Sequence, residues 1–207
     1  MNIRFLLFLC MLMSALLPVH ADGIDNELIE ARTIFLQGVD GDRQAVRKAL
    51  KNFRTLNSRY PENPVFLAYL GASMTLQGRD AQNNLDKQRL TEAGLKKIDR
   101  ALELLSNGNN VPPSRRLDTL LVAASSYIYI PSFFNRYERG KNLLEEILSH
   151  HDFNVMAAGF KAASYFTTAL VARGDDDENQ YRHYLELTVA TDPQGRDGRL
   201  ASELLRK

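Results

Sequence analysis

Cysteine is nearly absent from this chain of 207 residues, and tryptophan is absent altogether. The one cysteine, Cys10, lies in an apolar run near the start, so the rest of the chain has neither disulfides nor thiol chemistry. An excess of charge of one sign is missing too, because the formal net charge is +1. Proteins that bind the phosphate backbone need a basic excess. We therefore expect no nucleic-acid partner.

The first 21 residues have the three parts of a secretory signal peptide. Arg4 supplies a positive charge, residues 5–17 form an apolar run, and residues 19–21 end the segment in a small-x-small pattern. The run is shorter than the ~20 residues that span a bilayer. Cys10 follows two large residues, which is unlike a lipidated cysteine.

The signal peptide predicts where the protein works. We expect cleavage after Ala21, export to the periplasm, no stable membrane insertion afterwards, and one folded domain over residues 22–207. Arg4 is the only charged residue of the leader, so the exported chain carries 25 basic and 25 acidic residues.

Helical spacing of apolar residues dominates the rest of the chain. The stripe of Leu117, Leu120, Leu121, Ala124 and Ile128 is typical, and no segment of five or more residues alternates as a strand does. Glycine and proline fall between the stripes. The pattern predicts an all-α fold of about eight helices with a short ninth over residues 200–206.

Two successive helix pairs contain a repeated pattern of small and large apolar residues. Its members are Ala49, Phe53, Leu56 and the closing Pro61 in one unit, and Leu67, Leu70, Gly71 and Met74 in the next. Over roughly residues 27–105 the chain therefore resembles the tetratricopeptide-repeat (TPR) family. Gly71 is expected where two helices cross closely. Segments 76–81, 94–105 and 130–136 are also similar to exported bacterial TPR-like proteins that have no established biochemical activity.

The later units are longer than a standard repeat, since the closing prolines Pro61 and Pro193 are separated by three units of about 44 residues rather than 34. The resemblance implies a short TPR-like α-solenoid of about four antiparallel helix pairs and a C-terminal capping helix. It also implies a concave surface, lined by the first helix of each pair, that binds a protein or peptide.

Polar clusters in the sequence favour helix ends over metal sites. His150, His151 and Asp152 lack the i, i+4 spacing of helical metal ligands, and adjacent helical residues point about 100° apart. Histidine is favoured at a helix C-terminus. The acidic run 175–178 fits the start of a helix rather than a calcium loop. We expect no metal, no cofactor and no enzyme activity; a carboxylate enzyme using Glu92 or Asp99 is the weakest alternative.

Two segments have the composition of a partner-binding site. Residues 77–88 read as a long connection between two helices, and connections of that length are often functional. Residues 127–137 combine aromatic and arginine side chains, as interface hot spots do. The candidate partner-binding residues are Arg79, Asp80, Tyr127, Tyr129, Arg136, Tyr137 and Arg139. We expect Phe133 and Phe134 to be buried between helix pairs.

The function that these observations favour is a non-enzymatic, exported, TPR-like scaffold or adaptor. It would bind a protein or peptide partner in the cell envelope on its helical-repeat surface. The alternative is a small-molecule binding module with a pocket between the two halves, lined by Tyr127, Tyr165 and Phe166.

Overall fold

The computed structural model describes residues 20–107 and 111–207, and within these ranges the chain is helical and has no strand. The nine α-helices of these ranges are α1 (His20–Val39), α2 (Arg43–Arg59), α3 (Pro64–Asp80), α4 (Asn84–Ser106), α5 (Pro113–Tyr129), α6 (Tyr137–Ser149), α7 (Ala158–Gly174), α8 (Glu178–Thr191) and α9 (Arg196–Leu204). Two short 3₁₀ helices, Ser132–Phe134 and Phe153–Val155, precede α6 and α7. The all-α prediction is confirmed. All but the last two residues of the predicted signal peptide lie outside the described residues.

Side-chain caps define where several helices begin. Asp42 accepts hydrogen bonds from the backbone N–H groups of Gln44 and Ala45 at 2.7 and 3.1 Å, which starts α2. Asn63 does the same for α3, and Asp177 accepts from the N–H of Gln180 to start α8. Such caps satisfy the donors that a first helical turn leaves unpaired. The prediction of a helix start in the acidic run 175–178 is confirmed.

Consecutive helices pack as neighbouring pairs, and the pairs stack on one another. Helices α1, α3, α5, α7 and α9 each contact the next in that series, which places them in one layer. Their partners α2, α4, α6 and α8 each pack against the helix before them. This is the arrangement of an all-α helical-repeat fold, as predicted. None of the described helices combines the length and the apolar character needed to cross a membrane.

Helices α3 and α4 cross at a pair of glycines. A Cβ atom added to Gly71 would lie 2.6 Å from the carbonyl oxygen of Gly94, and one added to Gly94 would lie 2.5 Å from that of Gly71. Ordinary contacts of a Cβ atom are longer than 3.4 Å. The two backbones therefore meet where neither residue has a side chain, and the close crossing predicted at Gly71 is confirmed.

The predicted long connection over residues 77–88 is wrong. Helix α3 continues to Asp80 and α4 begins at Asn84, so only residues 81–83 join them. Gly78 does not end α3; it is buried within the helix, and a Cβ there would lie 2.9 Å from the carbonyl oxygen of Lys87. The extra residues of this unit lie mainly in α4, which has 23 residues against 17 in α3, instead of forming a loop.

The helix α9 reaches back to the turn between α1 and α2. Helix α9 begins at Arg196, four residues before the predicted start, and packs on α8 and α7. The Arg196 guanidinium lies 2.6 Å from Asp40 Oδ1, in the turn between α1 and α2. The C-terminal helix thus covers the end of the array and reaches its opposite end through this ion pair.

Candidate functional site

Two of the predicted site residues, Arg79 and Asp80, hold the end of α1. Arg79 donates hydrogen bonds to the carbonyl oxygens of Gly38 and Val39 at 2.9 and 3.2 Å. These are among the last carbonyls of α1, where a helix lacks intrahelical donors. Asp80 orients the guanidinium by accepting from its Nε at 2.8 Å. In this structure the pair acts as a C-terminal cap that joins α3 to α1.

Three other predicted residues meet at one carboxylate, that of Asp99 in α4. Tyr127 and Arg139 each donate to Asp99 Oδ1 at 2.6 Å, and Arg136 donates to Oδ2 at 3.0 Å. Hydrogen bonds between ionised groups are the stronger kind, so Asp99 ties α4 to the residues that follow α5. Arg139 also lies over the Tyr127 ring, 5.6 Å from its centroid.

Tyr127 contributes to this cluster from within the core. Its side chain is fully buried, so it has no surface to offer a partner. Burial, together with its hydrogen bond to Asp99, raises the pKa of Tyr127 above its ordinary value. The phenol therefore stays protonated and keeps donating to the carboxylate.

The remaining two predicted residues lie in different surroundings. Tyr137 donates to the carbonyl oxygen of Val171 at 3.2 Å and lies 3.3 Å from Asp175, which also accepts from Lys141 at 2.6 Å. Tyr137 thus joins α6 to the end of α7. Tyr129 is the last residue of α5, and 56% of its surface is exposed. Of the three predicted tyrosines, it is the one that is mainly exposed.

The turn after α5 projects an aromatic ring into solvent. Ile130 and Pro131 leave the helix in extended conformation, and Asn135, whose φ of 53° is left-handed, reverses the chain before α6. Between them Phe133 is 65% exposed, while Phe134 is partly buried against the core. The two rings contact each other with centroids 4.3 Å apart. The expected burial of Phe133 is wrong.

A cleft beside this turn combines apolar and charged side chains. Its volume is about 240 Å³. We define the Phe133 surface as the residues that line it, which are Glu92, Leu95, Lys96, Phe133, Phe134 and Arg136. Arg136 reaches into it from the Asp99 cluster, and its Nε is shielded from solvent without a hydrogen-bond partner. The surface therefore offers an aromatic anchor and a charged rim.

The layer formed by α1, α3, α5, α7 and α9 corresponds to the concave surface that the TPR resemblance predicts. It has less open surface than a binding face of that kind requires. Every residue of α3 from Pro64 to Ser73 is buried, and so is every residue of α5 from Leu117 to Ala124. These stretches are enclosed by neighbouring helices on all sides. A partner laid along the layer would therefore find no continuous groove at these two helices.

A buried polar cluster joins α1, α3 and α5 within that layer. Arg32 Nε donates to the hydroxyl of Tyr69 at 2.8 Å, and Tyr69 donates to Asp118 Oδ1 at 3.2 Å. Arg32 also forms an ion pair with Asp118. Burial raises the pKa of Asp118, and the charge of Arg32 opposes that shift. Because all three groups bond to one another, the cluster acts as an internal link between helices.

The histidines at the end of α6 take the helix-end position expected of them. Helix α6 ends at Ser149, and the N–H of His150 donates to the carbonyl oxygen of Ile147 at 3.2 Å. One potential ligand atom each from His150, His151 and Asp152 lies within 4.8 Å of the other two. The backbone of this turn therefore pairs with a carbonyl group at the end of α6. The same turn brings two imidazoles and a carboxylate close together.

Side chains expected to line a small-molecule pocket are divided between two apolar clusters. Tyr127 and Tyr165 belong to the cluster around α5 and α6, whereas Phe166 packs in the smaller cluster with α8 and α9. Tyr127 and Phe166 are buried by protein atoms. These three residues serve as packing in the structure.

Comparison of the chain with protein-family models, with curated proteins and with solved structures found no match in any of the three. The geometry of the described residues is therefore the basis for assigning a function.

Proposed function

We propose that this protein is a non-enzymatic, exported scaffold of the TPR-like type that binds a protein partner through the Phe133 surface. The observation that carries the proposal is the position of Phe133. Its ring is 65% exposed on a short turn between two packed helices, and it borders a cleft of about 240 Å³.

Exposing an aromatic ring to water is unfavourable in free energy, and burying the ring at an interface stabilises the complex. Burying a phenylalanine side chain is worth roughly 1.5–3 kcal/mol. Residues that dominate binding energies are enriched in aromatic and arginine side chains that sit together in a desolvated pocket. Phe133, Phe134 and Arg136 are grouped in this way, with buried Leu95 as the floor. This composition favours a protein partner that inserts an apolar side chain beside Phe133.

The surroundings of the ring favour specificity as well as affinity. Glu92 and Lys96 lie on one side of the cleft, and both are exposed. Charged groups at the rim of an interface steer encounter and fix orientation more than they add affinity. Arg136 is held by Asp99 on its other side, so its position is set before binding. Less ordering is then required when the partner docks.

The test compares two exposed apolar residues in equivalent turns. Phe133 lies in the 3₁₀ helix before α6, and Val155, which is 82% exposed, lies in the one before α7. The wild type, Phe133→Ala and Val155→Ala proteins are immobilised and used to capture proteins from an extract of the cell envelope. We expect a partner that the wild type and Val155→Ala retain and that Phe133→Ala loses.

Folding of the three proteins is compared in the same experiment. Both side chains are mainly exposed, so all three melting temperatures should agree within a few degrees. Equal capture by Phe133→Ala and the wild type would refute the role of the Phe133 surface. A partner lost by both variants would also refute it, because the loss would not be specific to this surface.

A further inference from the structure

The turn between α6 and α7 folds so that three adjacent side chains face one another. The carbonyl oxygen of His150 accepts a hydrogen bond from the N–H of Phe153 at 2.9 Å, and Asp152 has φ −83° and ψ −2°. These values are those of a type I turn. The rule that adjacent residues point about 100° apart applies only within a helix, and α6 ends at Ser149. The side chains of His150, His151 and Asp152 can therefore converge despite being adjacent in sequence.

The nitrogen and oxygen atoms of the turn lie at distances suited to a shared cation. Asp152 Oδ2 is 3.1 Å from His151 Nε2 and 3.8 Å from His150 Nδ1. Ligands of a tetrahedral zinc ion lie about 3.4 Å apart when the bonds to the metal are about 2.1 Å. The His150 and His151 rings stack with centroids 4.5 Å apart, so a shared cation requires the His151 ring to rotate, and its side chain is 83% exposed and has room to do so.

The two inner groups each turn an acceptor atom towards the proposed site. His150 Nδ1 accepts a hydrogen bond from the N–H of Asp152 at 3.2 Å. Coordination through it would replace that hydrogen bond. Asp152 Oδ2 is shielded from solvent and accepts no hydrogen bond, even though His151 Nε2 is close.

The unpartnered oxygen points to a ligand. A buried acceptor without a partner costs about 1–3 kcal/mol, and more when it is charged. Phe153, the next residue, is buried and packs edge-on against Phe160 and Tyr165 with centroids 6.3 and 5.5 Å away. The turn is thus anchored in the core, which fixes the backbone from which the carboxylate projects. A bound cation would remove the cost.

We propose that His150, His151 and Asp152 bind one divalent cation of the late first-row series, with zinc as the representative. Two imidazoles and one carboxylate suit zinc, copper and nickel, whereas magnesium and calcium prefer six or more oxygens. Three protein ligands leave a coordination position for water or for a partner's side chain. The proposal is independent of the Phe133 surface.

The test is a calorimetric titration of zinc chloride into the protein without an affinity tag, since a histidine tag would bind zinc itself. We expect one site in the wild type and a loss of about tenfold or more in affinity in His151→Ala and in Asp152→Asn. His183→Ala is the matched control, because His183 is an exposed histidine on α8 outside this turn, and it should bind zinc as the wild type does. Magnesium chloride should give no binding at the same concentrations.

Melting temperatures measured with EDTA show whether the variants fold. His151→Ala removes an exposed ring, so its melting temperature in EDTA should equal that of the wild type. Its zinc affinity can therefore be compared with that of the wild type even if Asp152→Asn is unstable. At the same concentration, zinc should raise the melting temperature of the wild type more than that of His151→Ala. The proposal is overturned if the wild type binds zinc no more tightly than His151→Ala, or if His183→Ala removes the binding.

Discussion

Substituting Gly71 by alanine tests the helix crossing at the centre of the fold. The new Cβ atom would lie 2.6 Å from the carbonyl oxygen of Gly94 and 2.8 Å from Cγ1 of Ile98. Because one of these atoms belongs to the backbone of α4, moving a side chain does not relieve the contact. Helices α3 and α4 would have to separate by several tenths of an ångström.

The magnitude follows from two opposing effects. Overpacking a core by one or more carbons costs about 1–3 kcal/mol, and contact with backbone favours the upper end. Alanine is a better helix former than glycine by about 1 kcal/mol. The net destabilisation should be about 2 kcal/mol, which corresponds to a fall of about 4–8 °C in the melting temperature of a chain this long.

The control is the same substitution at Gly159, in the first turn of α7. A Cβ atom there would meet its nearest neighbour, a carboxylate oxygen of Asp192, at an ordinary 3.5 Å. Gly159→Ala should therefore leave the melting temperature unchanged or raise it. Thermal unfolding followed by circular dichroism at 222 nm (about the α-helical minimum) measures both variants. If Gly71→Ala melts at or above the wild-type temperature, the close crossing described above is incorrect.

Three further predictions concern other parts of the array, and thermal unfolding measures each. Tyr127→Phe should lower stability by about 1–2 kcal/mol because the hydrogen bond to Asp99 is lost, and an unchanged melting temperature would contradict that role. Phe53→Ala should cost about 3–5 kcal/mol, because this ring is fully buried and stacks on Tyr69 at 4.8 Å; a loss below 1 kcal/mol would contradict the packing. Asp42→Ala should lower the melting temperature at pH 7, and Asp42→Asn, which keeps the acceptor oxygen but not the negative charge, should lower it less. Backbone N–H groups lower the pKa of Asp42 in the folded state, so its contribution is present above the unfolded pKa of about 3.9 and is lost as the pH falls through the folded value. The difference between wild type and Asp42→Ala should therefore narrow below about pH 4, and a gap that widens there would refute this assignment.

Local patterns were sufficient to predict the helices and the crossing at Gly71. Apolar periodicity reports which face of a helix is buried, and a glycine within such a face indicates where two backbones meet. The connection after α3 was not predictable in this way. Polar residues such as Gln82 and Asn83 suit a loop and a helix start equally well, and Asn83 is in fact the N-cap of α4.

The exposure and contacts of the candidate site residues depend more on tertiary structure than on local sequence. Apolar character predicts burial on average, but adjacent residues of the 3₁₀ helix Ser132–Phe134 point in different directions, so Phe133 faces solvent while Phe134 packs against the core. Tyr127 and Arg136 were identified from their composition, yet their common partner Asp99 lies about 30–40 residues earlier on α4, and no local pattern links them. Contacts at such separations arise only when the helix pairs stack.

Crosslinking at a single residue tests the proposed binding of a partner protein through the Phe133 surface. A photoreactive phenylalanine analogue replaces Phe133 in one protein and Val155, the other exposed turn residue, in a second. After irradiation in cells, we expect a discrete covalent adduct with one partner protein from position 133 and none from position 155. No adduct at position 133, or the same adducts from both positions, would contradict the proposed binding.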